Sequence, residues 1–428
     1  MNLAAHEILV DTYNLRLPQG SGIKTYGLSL LNALSQCQAQ VSLLTDRHVP
    51  KSRYPVLDEV HLFDQAMDHA PRHPRLWQGL RMLSHAGRTL RATPVDISRV
   101  IPLEGSGGAP IHRCYNLPQL YEMANQTYLR LGRLTRVKFP RPPALWHATT
   151  PVPIRIRGAR MVTTVHDLIP LRLPYTTLDN KQFFYRLVRD ALRDSDLVFT
   201  VSECSKRDIL AFYDIPEERV VVTYQSLSLK KASTHQRQSF SVLKSYGLTP
   251  GQYVLFVGNI EPKKNLATLI KAMSMLQHDL PLVVVGRKAW LWEKQLQMAK
   301  RYFGRNEAKR LRILDYVPST VLSTLYSHAL CMAFPSLYEG FGLPALEAMG
   351  HGCPVISSNA SSLPEVCGEA ALYMDPHDSD GLYAHIESLL EDVCLRARLI
   401  EAGYRRVEYF SPERYAERLS TAYSQILA

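Results

Sequence analysis

The chain has 428 residues, of which 46% are apolar and 21% are charged. This composition excludes an intrinsically disordered chain, and the length predicts two domains that each bury their own core. Its formal net charge of +11 points to a partner that carries negative charge.

The cysteines and the N-terminus indicate the compartment. Seven cysteines are scattered without any Cys-x-x-Cys pair, which is typical of a reduced, cytoplasmic protein without structural zinc. No basic stretch followed by a long apolar core opens the chain, and no apolar run reaches about 18 residues. We therefore expect neither secretion nor a transmembrane helix.

The positive charge is concentrated in the first half. Residues 1–240 hold 31 Lys and Arg against 20 Asp and Glu, whereas the remainder holds 19 of each. Between residues 72 and 160 the imbalance sharpens to 15 basic and 3 acidic side chains. The sequence predicts that the first half of the chain faces something acidic.

The first predicted elements are a strand at residues 6–13 and a helix at 23–34. Gly20 and Gly22 lie in the loop between them, at the phosphate-cradling position of a Rossmann-like half-domain. A plain turn is an equally good interpretation of this loop alone.

Residues 61–145 are the hardest to interpret. The segment 74–92 interleaves Trp77 and leucines with arginines, which predicts either a basic amphipathic helix on a membrane surface or a core helix with solvated arginines. A second basic run, residues 129–143, carries Arg130, Arg133, Arg136, Lys138 and Arg141.

Buried parallel strands are predicted at residues 144–148, 160–165 and 196–202. His166 and Asp167 directly follow the second of these. Because open α/β sheets bind ligands at strand carboxyl ends, both residues are site candidates, although such a pair is more often structural.

The second half repeats the strand-and-helix pattern after a polar segment at 229–239. Lys263 and Lys264 stand between a strand at 253–258 and a helix at 266–275, which favours a second anion-binding turn. Arg287 follows the next strand, whose end we expect to meet a nucleotide base.

The stretch 336–355 carries the glycine turn and the two carboxylates on which the functional interpretation depends. It places one short helix between two buried strands, with Gly340 and Gly342 in the turn that enters the helix. Free backbone N–H groups there suit a phosphate, and Glu339 and Glu347, with seven residues between them, suit sugar and ribose hydroxyls. The alternative is a strand-helix-strand corner whose glycines serve packing alone.

This stretch resembles the Glu-x7-Glu signature of the retaining family 4 (group 1) glycosyltransferases, among them bacterial mannosyltransferases of polysaccharide assembly. The loop with Gly20 and Gly22, the His166-Asp167 pair and residues 261–265 resemble further segments of that family. Resemblance is strong over residues 251–380. One departure is that Asn259 and Lys263 stand at the two places where the family usually supplies one arginine. Lysine supplies the charge but lacks the planar, bidentate fork of arginine.

The resemblance implies the α/β fold called GT-B, two Rossmann-like βα domains facing one another across a cleft. We predict an acceptor-side domain at 1–235, a linker at 236–250, a nucleotide-sugar-binding domain at 251–409 and a C-terminal helix at 410–428 that returns to the first domain.

The resemblance also implies residue roles. It assigns catalysis to Glu339, His166 and Lys264, makes Asp167 an acceptor-side candidate, and places Glu365 near the donor. The implied donor-binding set is Gly20, Gly22, Lys263, Lys264, Gly340, Phe341, Gly342, Leu343, Glu347 and Arg287. Two Asp-Ser-Asp triplets, at 194–196 and 378–380, are predicted to be a helix-to-strand corner and a helix cap, so we expect no metal.

The function implied is transfer of a hexose, with mannose favoured, from a nucleoside diphosphate sugar to a glycan, with retention and without a cofactor. The charge map adds a polyprenyl-diphosphate-linked acceptor at the anionic inner face of a membrane, and no nucleic acid. The alternatives are a nucleotide-sugar epimerase, a retaining glycosidase, a non-catalytic binder and a transferase for a soluble acceptor.

Overall fold

The computed structural model describes residues 3–16, 22–47, 89–97, 110–227 and 236–427. The segment 74–92, predicted as a basic helix, lies outside the described residues except for its last four, which include strand β3. Gly20 also lies outside them.

A sheet of eight strands forms the first half. Its order is β11-β10-β9-β7-β1-β2-β5-β4, and all neighbours pair in parallel except β4 with β5. A smaller parallel sheet, β3-β6-β8, lies in the same half. The strands are β1 (Glu7–Asp11), β2 (Gln40–Thr45), β3 (Leu90–Arg91), β4 (Thr93–Val95), β5 (Arg113–Asn116), β6 (Thr135–Lys138), β7 (Leu145–Ala148), β8 (Ile154–Ile156), β9 (Arg160–Val165), β10 (Leu197–Thr200) and β11 (Val220–Val222).

A second sheet of six parallel strands follows, in the order β14-β13-β12-β15-β16-β17. Its central strands are short apolar runs that are buried throughout, which is what a parallel sheet covered by helices on both faces requires. The strands are β12 (Val254–Val257), β13 (Leu282–Val285), β14 (Leu311–Leu314), β15 (Cys331–Phe334), β16 (Val355–Ser358) and β17 (Ala371–Met374).

Helices connect the parallel strands. In the first half they are α1 (Gly22–Gln36), α2 (Leu120–Leu131), α3 (Ile169–Arg172), α4 (Lys181–Asp194) and α5 (Glu203–Phe212). In the second half they are α6 (Gln236–Ser245), α7 (Leu266–Met275), α8 (Trp292–Phe303), α9 (Glu307–Arg310), α10 (Ser319–His328), α11 (Leu343–Gly350), α12 (Leu363–Cys367), α13 (Ser379–Glu391), α14 (Val393–Tyr409) and α15 (Pro412–Leu427). None of these described helices is both long and apolar enough to cross a membrane.

The predicted linker at 236–250 is largely helical. Helix α6 packs against α10, and Leu243 and Leu248 are buried in the core. The end of the polar segment at 229–239, residues 236–239, is therefore helical and packs with the second half. The domain boundaries stay predictions.

Helix α15 packs along α1 of the first half. The hydroxyl of Tyr423 on α15 lies 2.5 Å from Nδ1 of the buried His147, whose Nε2 lies 2.7 Å from Thr164 Oγ1. Tyr26 on α1 shares that threonine hydroxyl at 2.7 Å. Burial lowers the pKa of His147 to about 3, so this junction between the C-terminal helix and the first sheet is uncharged.

Candidate active site

The candidate site begins where β12 and β13 end. Gly258 and Gly286 follow these neighbouring strands with φ of 149° and 157°, and a Cβ on Gly286 would lie 2.0 Å from the Gly258 carbonyl oxygen. The two turns therefore pack backbone against backbone. This contact brings the loop after β12, which carries both predicted lysines, to the strand ends.

Asn265 fixes the turn that carries the lysines. Its backbone is left-handed, and its side-chain amide donates to the carbonyls of Pro335 at 3.0 Å and Pro376 at 2.6 Å. Lys264 Nζ then donates to Glu339 Oε1 at 2.6 Å, and Lys263 Nζ lies 3.5 Å from Glu261 Oε1. The structure thus joins two predicted catalytic residues that are 75 positions apart in the chain.

Glu339 is held at its backbone as well as at its carboxylate. Its N–H donates to Ser361 Oγ at 2.8 Å, and its carbonyl accepts from Ser362 Oγ at 2.9 Å. Burial alone would raise the pKa of Glu339, but the ammonium groups of Lys264 and Lys263 outweigh it, so the net pKa is lowered. The carboxylate is ionised.

The charge of Lys263 is fixed by the same balance. Burial lowers its pKa, whereas Glu339, Glu261 and Asp167 raise it, and the net shift is upward. Lys263 therefore stays protonated at neutral pH and offers a permanent cation beside the Glu339 carboxylate.

Helix α11 starts at the glycine turn, as predicted. Gly342 caps its N-terminus with a φ of 107°, and a Cβ there would lie 2.6 Å from Leu363 Cδ2. Phe341 and Leu343 are buried, and the Phe341 ring meets Phe410 edge-on at 5.3 Å. The side chains of both residues face the core, so a ligand would meet their backbone.

Glu347 lies on the second turn of α11. Its Oε2 accepts a hydrogen bond of 3.2 Å from the Tyr326 hydroxyl. Burial raises the pKa of Glu347 to about 7. This carboxyl group therefore changes its charge within the physiological range, unlike Glu339.

His166 and Asp167 belong to the first half and lie against the glycine turn of the second. A Cβ on Gly340 would be 2.9 Å from the His166 carbonyl oxygen and 3.0 Å from Asp167 Oδ2. Only glycine fits so close an approach. The structure therefore brings the acceptor-side pair and the Glu339 loop together across the junction of the two halves.

The hydrogen bonds of His166 fix its tautomer. Its Nε2 lies 2.9 Å from the Thr149 carbonyl oxygen, which can accept but not donate. Burial lowers the pKa of His166, so the ring is neutral and Nδ1 is left as an acceptor. Thr149 is itself held by Asp11, whose Oδ1 accepts from the threonine hydroxyl at 3.1 Å.

Sequence reasoning missed the N-terminal turns of α5. Ser202 Oγ donates to the Gly340 carbonyl at 2.7 Å, and the Tyr338 hydroxyl donates to Asp208, which also accepts from Arg172 Nε at 2.7 Å. The residues on both sides of Glu339 are thus anchored by the opposite half. The signal that could have found them is the Ser-x-x-Ser-x-x-Asp spacing at 202–208, which places three polar groups on one face of a helix.

Glu365, predicted to lie near the donor, makes a contact that sequence reasoning did not predict. Its carboxylate accepts from the backbone N–H groups of Glu203 at 2.7 Å and Cys204 at 3.2 Å, at the N-terminus of α5. A carboxylate is favourable at this end of the helix dipole. The Glu365 carboxylate therefore links the two halves.

Two further predicted donor residues are exposed. Gly22 is the first residue of α1. Arg287 follows the end of β13, and its carbonyl accepts from Ile260 N–H at 2.9 Å, in the loop that leads to the lysines. That either residue contacts the donor stays a prediction.

The Asp-Ser-Asp triplets have the structural roles that we predicted. Helix α4 ends at Asp194, and Asp378 caps α13 by accepting from the N–H groups of Asp380 and Gly381. Across the described ranges, no group of three or more His, Cys, Asp or Glu side chains is placed to hold a metal ion.

Known protein families match both halves of the chain. Residues 243–406 match the family described as glycosyl transferases group 1, and residues 102–230 match glycosyltransferase family 4. The O-antigen chain mannosyltransferase B of Escherichia coli is 35% identical over 272 residues, which are 62% of this chain and 71% of that protein. The chain belongs to the group 1 glycosyltransferases of family 4. The predicted family is confirmed, and with it a hexosyltransferase of polysaccharide synthesis.

Two other relatives of this glycosyltransferase match over less than two thirds of their own length. The serotype-specific mannosyltransferase WbdA of Escherichia coli is 30% identical over 257 residues, but the match spans 30% of that protein. The O-antigen chain mannosyltransferase RfbU of Salmonella typhimurium is 29% identical over 228 residues, 53% of this chain and 60% of that protein.

Solved structures share the fold. Sucrose-phosphate synthase from Thermosynechococcus elongatus superposes with a TM-score of 0.68 at 17% identity and covers 98% of this chain and 99% of that one. Anabaena Alr3699/HepE in complex with UDP and glucose gives 0.64 at 15% identity, with 98% and 100% covered. The predicted GT-B fold is confirmed.

Proposed function

We propose that this glycosyltransferase transfers mannose from a nucleoside diphosphate donor, GDP-mannose, to a growing lipid-linked polysaccharide with retention of anomeric configuration. The observation that carries the proposal is the Lys264–Glu339 pair beside Lys263, held at strand ends against His166. The mannosyltransferase names of the relatives favour mannose.

The two lysines suit the departing diphosphate. Breaking the bond between sugar and phosphate leaves negative charge on the diphosphate, and Lys263 and Lys264 are fixed cations that can stabilise it. The N-terminus of α11 adds backbone N–H groups and the positive end of a helix dipole. No metal ion is needed to supply this charge.

The side chains that accept hydrogen bonds suit the uncharged sugar and ribose of the nucleotide sugar. When a diphosphate takes over Lys264, the Glu339 carboxylate is free to accept hydrogen bonds from sugar hydroxyls. Glu347 takes the ribose hydroxyls, and the bare Nδ1 of His166 accepts from the sugar on the acceptor side. In the protonation states assigned above, none of these three groups has a proton to donate, so each accepts hydrogen bonds from hydroxyl groups.

The acceptor is proposed from charge. The excess of basic residues in the first half suits a polyprenyl-diphosphate-linked glycan at an anionic inner membrane surface better than an uncharged soluble sugar. The second candidate is a transferase of the same site acting on a soluble acceptor, and the third is a nucleotide-sugar epimerase, which would form product without any acceptor.

A thermal-shift panel tests the donor. Purified protein is melted with GDP-mannose, UDP-glucose and related nucleotide sugars, and we expect GDP-mannose to give the largest rise in melting temperature. A larger rise with a uridine nucleotide sugar would overturn the choice of donor. Proton NMR of the product's anomeric centre then tests retention, and an inverted product would overturn the proposed stereochemistry.

A further inference from the structure

The small sheet β3-β6-β8 has one apolar and one basic face. Val137, Ile154 and Ile156 are buried in the core of the first half. Residues on either side of them in each strand point the other way because side chains alternate along a strand. Four cations occupy that opposite, exposed face: Arg91, Arg136, Lys138 and Arg155.

The pairing register sets these cations directly against one another. Arg91 pairs with Lys138 across β3 and β6, and Arg136 pairs with Arg155 across β6 and β8. Like charges opposite one another on neighbouring strands destabilise a sheet. Asp194 lies 3.4 Å from Arg155 and offsets part of its charge.

The spacing makes the four charges act together. Neighbouring strands lie about 4.8 Å apart and alternate residues about 6.6 Å apart, so adjacent cations are within the Debye length of about 8 Å at physiological salt. Further exposed arginines, Arg133, Arg141 and Arg157, flank the strands in sequence. The result is a broad electropositive face rather than a pocket for one anion.

Exposed leucines stand next to this face along the chain. Leu129 and Leu131, at the end of α2 just before β6, are 57% and 43% exposed. Cations beside exposed apolar side chains are the combination that binds at the boundary between lipid headgroups and acyl chains.

We propose that this basic face, Arg91, Arg136, Lys138 and Arg155, is the surface by which the protein docks on an anionic phospholipid bilayer. This proposal rests on the proposed function, which places the glycan acceptor at a membrane, and it adds which surface of the protein contacts the bilayer. A bilayer is favoured over a single phosphate group because its charges are spread over an area, as the cations are. A partner that carries negative charge would neutralise the cations that the strand register places opposite one another.

Vesicle sedimentation tests the proposal. The full chain, an R136E/K138E variant and a K294E/K300E variant are spun with phosphatidylcholine vesicles with and without phosphatidylglycerol, at low and high salt. Lys294 and Lys300 are exposed on α8 of the second half, and their reversal changes the net charge by the same amount. We expect the wild type and K294E/K300E to bind anionic vesicles at low salt, and R136E/K138E to bind at least about tenfold more weakly.

A melting curve shows whether R136E/K138E is as stable as the wild type. R136E/K138E converts both like-charged pairs into opposite pairs, so its melting temperature should equal or exceed that of the wild type. Vesicle affinity lost without loss of stability supports the proposal.

Other results overturn it in distinguishable ways. Equal loss in both variants, or none in R136E/K138E, shows that this face does not bind the bilayer. Binding of the wild type to a soluble polyanion such as heparin, but not to anionic vesicles, assigns the face to another partner. Neither result touches the donor assignment, which the thermal-shift panel tests on the same preparations.

Discussion

Lys264 Nζ lies 2.6 Å from Glu339 Oε1, and this contact joins the ends of two strands that are neighbours in the second sheet. Both side chains are largely buried, with 12% and 10% of their surfaces exposed. In the proposed function, Lys264 is the cation for the diphosphate and Glu339 the acceptor for sugar hydroxyls, and each neutralises the other until a donor binds.

Lys264→Ala should weaken both stability and donor binding. It leaves a buried carboxylate without its nearest cation, which should cost about 3 kcal/mol of the free energy of unfolding, because Lys263 keeps part of the compensation. Loss of the charge-assisted contact should cost about 1.5 to 3 kcal/mol of nucleotide-sugar binding.

Denaturant unfolding and calorimetry measure these two effects. Lys300→Ala, at an exposed lysine on α8, is the matched control and should change neither. Unchanged donor affinity in Lys264→Ala would contradict the assignment of this lysine to the diphosphate.

Donor affinity should depend on pH through Glu347. In the proposed site, ribose hydroxyls donate to the ionised carboxylate of Glu347, and burial raises the pKa of that group to about 7. The proton must therefore leave before binding, so affinity for GDP-mannose should rise about tenfold between pH 6 and pH 8.

The Glu347→Gln variant should bind weakly with little dependence on pH, as calorimetry at several pH values would show. GDP-mannose is the better probe than GDP, because a diphosphate bonded at both ends does not titrate in this range. If Glu347→Gln kept the pH dependence of the wild type, another group would have to be responsible.

Tyr338→Phe should impair turnover more than donor binding. The hydroxyl holds the residue before Glu339 to Asp208 of the opposite half, so its loss loosens the loop without removing a donor contact. We expect kcat to fall about ten- to hundredfold while donor affinity changes less than about twofold.

Tyr175→Phe makes the same change at an exposed tyrosine and should be silent. The double variant Tyr338→Phe/Asp208→Asn checks the partner, because two residues that act through one contact give non-additive losses. Fully additive losses of kcat would show that Tyr338 does not act through Asp208. Hydrogen exchange of the peptide 336–343 should also be faster in Tyr338→Phe than in Tyr175→Phe.

Transfer should survive chelation. In the proposed function, Lys263 and Lys264 supply the charge that Mg²⁺ supplies in metal-dependent transferases. Product formation should be the same with and without EDTA. Loss of activity that Mg²⁺ or Mn²⁺ restores would show that the two lysines do not suffice.

The sequence by itself determined the local elements and the family. Apolar runs fixed the central strands closely, since a parallel strand covered on both faces must be apolar throughout. The predicted helix at 266–275 has those bounds in the structure, and the C-terminal helix predicted at 410–428 spans Pro412–Leu427. The Glu-x7-Glu stretch gave the family because it combines a glycine turn, a helix start and two carboxylates in one contiguous segment.

Composition misled where local polarity and tertiary burial disagree. The polar segment 229–239 indicated a linker, yet residues 236–245 form a helix in which Leu243 is buried. Propensity describes a residue and its neighbours in sequence, whereas burial depends on what packs against them.

Tertiary structure alone decided the contacts between the halves. Gly340 against His166, Tyr338 against Asp208 and Glu365 at the N-terminus of α5 join residues more than 100 positions apart. No spacing within one sequence predicts such a pair. Each partner has an ordinary place in its own half, and the two meet only when the sheets pack side by side. The charge state of Glu347 and the tautomer of His166 depend on packing within one half. Burial raises the pKa of Glu347, and the Thr149 carbonyl, just after the neighbouring strand β7, accepts from His166.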